Sequence, residues 1–221
     1  MGQTIQLKAS DGFTLDAYTA GPANATKGIV VIQEIFGVNH HVRDMADRLA
    51  AAGYAVVAPA VYDRVQKGFD VGYTPEDIAK GRDVRMKLDD KQLMLDVEAA
   101  AAHLKGKKLG IGGYCFGGTV AWLGATRSNS FAAASCWYGG GIAGTKEEKP
   151  NCPVQMHFGE TDASIPMTDV DSIRAAQPRV DSYVYKGAGH GFGCDERGSY
   201  SKPDYDVAQQ RTLDFFAKNL G

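Results

Sequence analysis

Apolar residues follow two alternating patterns along this chain. Short, almost unbroken β-branched runs, typical of strands buried on both faces of a parallel sheet, recur between longer segments with three- and four-residue apolar spacing, typical of amphipathic helices. Near the start, an Asp11-Gly12 turn separates two alternating segments, 4–8 and 13–20, which indicates a β-hairpin. The pattern predicts an α/β fold with a mostly parallel sheet and helices on both faces.

The individual elements follow from the same pattern. Further strands are predicted at 28–34, 54–59, 108–113, 131–139, 152–159 and 179–187. Helices are predicted at 40–52, 88–105, 116–127, 166–177 and 204–220, with a short helix opening at Pro75 inside an otherwise irregular segment, 63–87. No repeat, low-complexity tract or linker interrupts the alternation, so we expect residues 1–221 to form one domain.

Composition narrows the possible partners. Of the 221 residues, 44% are hydrophobic and 23% are charged, and the formal net charge is −2. Without a basic block, nucleic acid and anionic membranes are not expected partners. The amino terminus has no apolar signal core, and no run approaches the roughly 18 apolar residues of a membrane span, so we expect a cytoplasmic protein. No strongly apolar surface stretch stands out, which favours a monomer.

The cysteines do not form a recognisable framework. Cys115, Cys136, Cys152 and Cys194 are far apart and include no CxxC pair, which argues against a zinc site. A disulfide framework is not expected in a chain of this length without a secretion signal. We therefore expect no metal and consider each thiol separately.

Four glycines surround one of these thiols in the segment GGYCFGG, residues 112–118. A dinucleotide fingerprint fails because Cys115 stands where its third glycine belongs, and a phosphate loop fails because Gly118 replaces its lysine. A nucleophile elbow fits, with Gly113 and Gly117 two residues either side of the cysteine, between a predicted strand and helix. The positive end of the helix dipole would favour the thiolate. The alternative is a buried structural cysteine beside a tight turn.

An elbow nucleophile needs an acid and then a histidine later in the chain. His190 lies in the glycine-rich segment GAGHGFG after a predicted strand, whereas His157 lies inside an apolar strand and is interpreted as a core residue. Asp162, in GETD after another strand, is the preferred acid, with Glu160 and Asp169 as alternatives. The alternative role for Asp162 is to cap the helix that follows Pro166.

The first buried strand ends at Glu34, at the sheet edge where ligands bind in open α/β folds. The residue after that strand commonly gives one oxyanion-hole amide. The amides of Ile35 and Phe36 are candidates for this donor, and the amide of Phe116, beside the cysteine, is the second donor. Glu34 has two interpretations: a group of the site or a salt-bridged structural carboxylate.

Together these segments carry a family resemblance. The matching pieces are QEIFG (33–37), GYCFGG (113–118), GETD (159–162), GAGHGF (187–192) and RTLDFF (211–216). With them the chain resembles the dienelactone hydrolase (carboxymethylenebutenolidase-like) family of the α/β-hydrolase fold. The resemblance implies a Cys115–His190–Asp162 triad, with Glu34 helping to deprotonate the thiol.

The reaction implied by the resemblance is hydrolysis of a carboxylic ester or lactone, such as dienelactone to maleylacetate, through a thioester acyl-enzyme. No cofactor is implied. The best-known members of the family hold the substrate carboxylate with arginines, one of them four residues after the histidine, where this chain has Cys194. Arg197 would substitute for it, and Arg82 or Arg85 would supply the other cation. Three aromatic residues are expected to line the pocket: Tyr62, Trp137 and Tyr138.

Two other functions remain open at this point. The first is a thioesterase or general small-ester hydrolase without dienelactone activity, suggested by the cysteine at position 194. The second is a redox-responsive or non-catalytic protein, in which a disulfide between Cys115 and Cys194 would mask the nucleophile.

Overall fold

The computed structural model describes residues 2–221, and its eight strands lie in the order β1-β2-β4-β3-β5-β6-β7-β8. The strands are β1 Gln3–Lys8, β2 Thr14–Ala20, β3 Lys27–Ile32, β4 Ala55–Pro59, β5 Lys108–Tyr114, β6 Ala133–Trp137, β7 Val154–Gly159 and β8 Asp181–Tyr185. The α-helices are α1 His40–Ala51, α2 Pro75–Lys87, α3 Asp90–His103, α4 Phe116–Arg127, α5 Met167–Ala176 and α6 Lys202–Leu220. Two 3-10 helices span Val61–Arg64 and Gly140–Thr145.

The chain divides into two compact units between Gly110 and Ile111, within β5. In the first unit, β1 and β2 form the predicted hairpin, with Leu7 opposite Leu15. Strand β2 continues antiparallel to β4, and β4 runs parallel to β3. Both β3 and β4 are almost wholly buried, as continuous apolar runs require.

In the second unit, β6, β7 and β8 are parallel neighbours, and their carboxyl ends meet at one edge. The last register pair of β7 and β8 joins Gly159 to Tyr185, so the loops that follow these two strands start side by side. Helix α4 packs on β6 and follows β5 with one residue between them. The predicted α/β fold with a mostly parallel sheet is confirmed, whereas the single-domain assignment for 1–221 stays a prediction.

The structure corrects two local predictions. The helix that opens at Pro75 is not short: α2 runs for 13 residues, and Thr74 and Asp77 form a reciprocal capping box at its start. Only Gly81 and Val84 of α2 are buried, so its sequence carries no apolar stripe that would reveal its length. The 3-10 helix Gly140–Thr145 was not predicted, because its glycine-rich sequence has no helical periodicity.

No helix within residues 2–221 is both long enough and apolar enough to cross a bilayer.

A buried ion pair anchors the hairpin turn to α3 in the first unit. Arg64 contacts both carboxylate oxygens of Asp96 at 2.8 Å, and it reaches Asp11 in the turn at 2.8 Å. The Asp96 side chain is fully buried and that of Arg64 is 6% exposed. A charge in such a place is stable only while its partner is present.

We expect Asp96→Asn to lower the free energy of unfolding by roughly 3 kcal/mol, since it leaves the buried guanidinium without its fully buried counter-charge. The matched variant Asp11→Asn removes the exposed partner and should have a clearly smaller effect. Urea unfolding of both variants measures the difference. Equal losses for the two would contradict the assignment of Asp96 as the main anchor.

Candidate active site

Cys115 stands alone between β5 and α4, at the N-cap of the helix. Its backbone is left-handed, with φ 56° and ψ −118°, a conformation that is strained for a residue with a side chain. The Cys115 amide donates to the Trp137 carbonyl at 3.0 Å, and the Cys115 carbonyl accepts from the Gly118 amide at 3.0 Å. These bonds hold the predicted strand-to-helix elbow in place.

Close backbone contacts explain the glycines around the thiol. A Cβ on Gly113 would lie 2.1 Å from the Gly117 carbonyl oxygen. A Cβ on Gly118 would lie 2.2 Å from the Trp137 carbonyl oxygen. Both distances are far below van der Waals contact, so only glycine allows the turn and its packing against the end of β6.

Three side chains meet in a line at the elbow. His190 Nε2 lies 3.1 Å from Cys115 Sγ, and His190 Nδ1 lies 2.7 Å from Asp162 Oδ2. The other carboxylate oxygen, Oδ1, accepts the Ser164 amide at 2.8 Å. The Asp162 side chain is fully buried, while that of His190 is 20% exposed. This is the order nucleophile, base and orienting acid.

Opposing effects act on the His190 imidazole. Burial lowers the pKa of His190, but the hydrogen bonds to Asp162 and Cys115 outweigh burial and raise it to about 10. A pKa this high favours the protonated ring, so the imidazolium can hold the proton that the Cys115 thiol gives up.

The other histidine of the second unit, His157, has a lowered pKa. Burial, aided by the charge of Arg211, lowers the pKa of His157 to about 3. Its ring nitrogens lie 2.8 Å from Tyr185 Oη and 2.9 Å from Gln155 Oε1. His157 is thus a neutral, hydrogen-bonded core residue, as the sequence indicated.

The other thiols differ from Cys115. Burial raises the pKa of Cys136 far above its usual range and that of Cys152 to about 11. Cys194 is fully buried, and all four cysteines are free thiols in the structure. No described cysteine pair therefore forms the masking disulfide considered above.

The alternative acids have other partners. Glu160 accepts the Gly187 amide at 2.9 Å, and Asp169 lies in the first turn of α5. The alternative role of Asp162 as a helix cap is wrong: Pro166 occupies the N-cap of α5, and no side chain caps that helix. Asp162 is the carboxylate that contacts His190.

The structure places the predicted pocket residues of the second unit close to the histidine or in the core. A Cβ on Gly191, next to His190, would lie 2.5 Å from Arg197 Nη1, so the guanidinium packs against this backbone. Tyr138 is fully buried, has a left-handed φ of 37°, and presents its ring edge-to-face to His190 at 5.3 Å between centroids. Trp137 is 1% exposed. Direct substrate contact by these three side chains stays a prediction.

In the first unit, Glu34 and Ile35 follow β3 directly. Glu34 is 1% exposed. The Ile35 carbonyl oxygen lies so near α2 that a Cβ on Gly81 would approach it to 2.3 Å, and this contact fixes the loop after β3. The roles of Glu34 as an auxiliary acid–base group and of the Ile35 amide as an oxyanion donor stay predictions, as does that of the Phe116 amide in the second unit.

Three other residues of the first unit were predicted to bind substrate, and two of them make contacts within their own unit. Arg82 is exposed on α2. Arg85 donates to the Leu88 carbonyl at 3.3 Å and pairs with Asp90 at 2.8 Å, so it stabilises the end of its own helix. Tyr62 is 1% exposed and packs edge-to-face on Phe69. Substrate binding by Arg82, Arg85 and Tyr62 also stays a prediction.

Two contacts at the site were missed from the sequence. Ser164 orients Asp162 through its amide, and the Ser199 hydroxyl donates to the His190 carbonyl at 2.7 Å. The D-x-S spacing of residues 162–164 is a known signal for a side-chain-to-backbone turn and points to the first contact. No local pattern signals the second.

Comparison with known proteins decides the family. The sequence model of the dienelactone hydrolase family matches residues 15–220. The chain belongs to the dienelactone hydrolase family. A Pseudomonas putida protein named carboxymethylenebutenolidase is 32% identical over 228 residues, which cover 96% of this chain and 95% of that protein. A Synechocystis protein provisionally named carboxymethylenebutenolidase is 39% identical over 212 residues, with 87% and 86% covered.

A solved structure supports the same assignment. The crystal structure of a protein from Klebsiella pneumoniae, titled provisionally as a dienelactone hydrolase, has a TM-score of 0.83 and 31% identity, and the match covers 99% of both chains. This member of the dienelactone hydrolase family is therefore a carboxylic ester hydrolase that acts on small-molecule esters or lactones.

The elbow makes a sharp prediction about two adjacent glycines. Gly113→Ala should lower kcat at least about a hundredfold, because the new Cβ displaces the turn that carries Cys115. The matched variant Gly112→Ala should keep its activity, because the nearest atom to its Cβ is Phe216 Cζ at 3.7 Å. Aryl ester hydrolysis measures both. A Gly113→Ala enzyme as active as Gly112→Ala would refute the steric account.

Proposed function

We propose that this hydrolase cleaves its substrate with a Cys115–His190–Asp162 triad through a thioester acyl-enzyme. The observation that carries the proposal is the position of His190, whose two ring nitrogens lie 3.1 Å from the thiol and 2.7 Å from the carboxylate. The same hydrogen bonds, to Asp162 and to Cys115, raise the pKa of His190.

In the proposed acylation, His190 Nε2 holds the proton of the Cys115 thiol, and Cys115 Sγ bonds to the substrate carbonyl carbon. The amides of Ile35 and Phe116 are the proposed donors to the oxyanion. The carbon–oxygen bond of the ester then breaks, and the leaving oxygen takes the proton from the imidazolium. In a lactone the leaving oxygen stays attached to the acyl group.

Deacylation reverses these roles. His190 takes a proton from water, and the resulting hydroxide adds to the thioester carbonyl. The carbon–sulfur bond then breaks to release the acid, and the proton on the imidazolium is again shared with the Cys115 sulfur. Asp162 stabilises the imidazolium in both steps and keeps Nε2 pointed at the reacting atoms. The proposed role of Glu34 is to help remove the thiol proton, as the family resemblance implies.

The proposed substrate is a carboxylate-bearing lactone, with dienelactone hydrolysed to maleylacetate as the reference reaction. Support comes from the names of the relatives and from Arg197, whose guanidinium lies against the residue after His190. Arg197 would hold the substrate carboxylate, with Arg82 or Arg85 as the second cation, and Tyr62, Trp137 and Tyr138 would shape the pocket. Catalysis is proposed to need no cofactor or metal.

One observation favours a second candidate, a small-ester hydrolase or thioesterase without dienelactone activity. Position 194, where the best-known members of the family have an arginine, holds a fully buried cysteine and offers no cation. The monomeric state and the cytoplasmic location expected from the sequence stay predictions.

The proposal is tested by following acylation and turnover with a short aryl ester and with a carboxylate-bearing dienelactone. Wild type should show an acyl mass increment on the peptide that contains Cys115. Cys115→Ala should lack the increment and lose at least about a thousandfold in kcat. The matched variant Cys152→Ala, which removes a thiol that does not contact His190, should keep both.

Turnover by Cys115→Ala at the wild-type rate would refute the triad. If wild type prefers the dienelactone, the carboxylate-bearing substrate class is supported. If it cleaves only the aryl ester, the second candidate holds.

A further inference from the structure

The segment that carries His190 is poorly suited to hold a side chain still. Four residues separate the end of β8 at Tyr185 from His190, and every second residue from Gly187 to Gly191 is a glycine. Gly187 and Gly191 have φ values of 71° and 76°. Glycine has more backbone freedom than any other residue, so this segment needs external restraints.

Two side chains from the neighbouring loop supply such restraints. Glu160 Oε2 accepts the Gly187 amide at 2.9 Å. The Thr161 hydroxyl donates to the carbonyls of Gly187 and Ala188, at 3.2 and 3.0 Å. Neither side chain contacts Cys115 or the His190 ring in any described hydrogen bond, and both residues are exposed.

Backbone contacts align the same two loops. The Glu160 amide donates to the Tyr185 carbonyl and the Thr161 amide to the Ala188 carbonyl, each at 2.9 Å. A Cβ on Gly159 would lie 2.5 Å from the Ala188 carbonyl oxygen, so the two loops touch along their backbones. The residue after Thr161 is Asp162, the partner of the imidazole. The segment 159–162 thus contacts the histidine loop at every residue.

We propose that Glu160 and Thr161 are positioning residues: their side chains fix the loop 186–189 and thereby hold His190 within reach of both Cys115 and Asp162. The proposal rests on the proposed triad. It separates the roles within GETD: Asp162 orients the ring, whereas Glu160 and Thr161 hold the backbone that carries it.

A positioning role for Thr161 and a purely structural role predict different effects on the rate and on stability. Hydrogen bonds on an exposed loop contribute little to global stability, since such loops open locally without unfolding the chain. A displacement of about 1 Å at a reacting group lowers the rate by about a hundredfold. Loss of the Thr161 hydroxyl should therefore act on kcat and leave KM and the melting temperature almost unchanged.

The test compares Thr161→Val, Thr161→Ser and the matched control Thr168→Val, an exposed threonine of α5. Rates for a short aryl ester are normalised to the fraction of enzyme that forms the acyl adduct. We expect kcat of Thr161→Val to fall at least about tenfold with KM within about twofold of wild type. Thr161→Ser, which keeps the hydroxyl, should recover most of this loss.

Several outcomes decide the proposal. It is overturned if the kcat of Thr161→Val per acylated site stays within about twofold of wild type, or if the serine and valine variants lose activity equally. Should Thr161→Val not fold, Glu160→Ala removes the other restraint, and an unchanged kcat for that variant overturns the proposal. Cys115→Ala is measured alongside to distinguish failure of the proposed triad from failure of the positioning role. Its activity tests the triad and does not depend on the loop 186–189.

Discussion

The left-handed backbone at Cys115 is the constraint on which the described site depends. This conformation aims the residue out of the strand-to-helix turn, and it exists because the turn is closed from several sides. Gly113 lets the backbone fold onto Gly117, and the Trp137 carbonyl both accepts the Cys115 amide and packs against Gly118. The end of β6 therefore packs directly against the strand-to-helix turn. Strain at the nucleophile is offset by packing that any larger residue would disrupt.

Within that frame, environment assigns the chemistry among residues of the same type. His157 and His190 both lie in the second unit, yet burial keeps His157 neutral, while a carboxylate and a thiol raise the pKa of His190. Burial also raises the pKa of Cys136 and Cys152, away from the form that attacks carbonyls. Among these groups, only His190 has a shift caused by hydrogen bonds to a carboxylate and a thiol, as in an acid–base site.

Much of this arrangement was predictable because local sequence carried it. Continuous apolar runs predicted the inner strands, and the helix predicted at 116–127 has those bounds in the structure. The order of nucleophile, acid and base in the chain led to His190 and to Asp162 as the preferred acid, and it left Glu160 and Asp169 open. By contrast, α2 lacks an apolar stripe, so the only sequence signal for this helix is its capping residues. Sequence also cannot show how deeply an aromatic residue at a strand end is buried. Trp137 and Tyr138 are buried, and their part in lining the pocket stays a prediction.

The proposed chemistry depends on His190 being held between a carboxylate and a thiol, and the titration of His190 measures this directly. NMR of histidine-labelled enzyme, with the resonances assigned by His190→Gln, should give His190 a pKa near 10, compared with 6.5 for a free imidazole. His157 is the internal reference and should titrate with a pKa of about 3. Asp162→Asn should bring the pKa of His190 down, because it removes the anion that favours the imidazolium. A wild-type His190 that titrates at or below 6.5 would contradict the account.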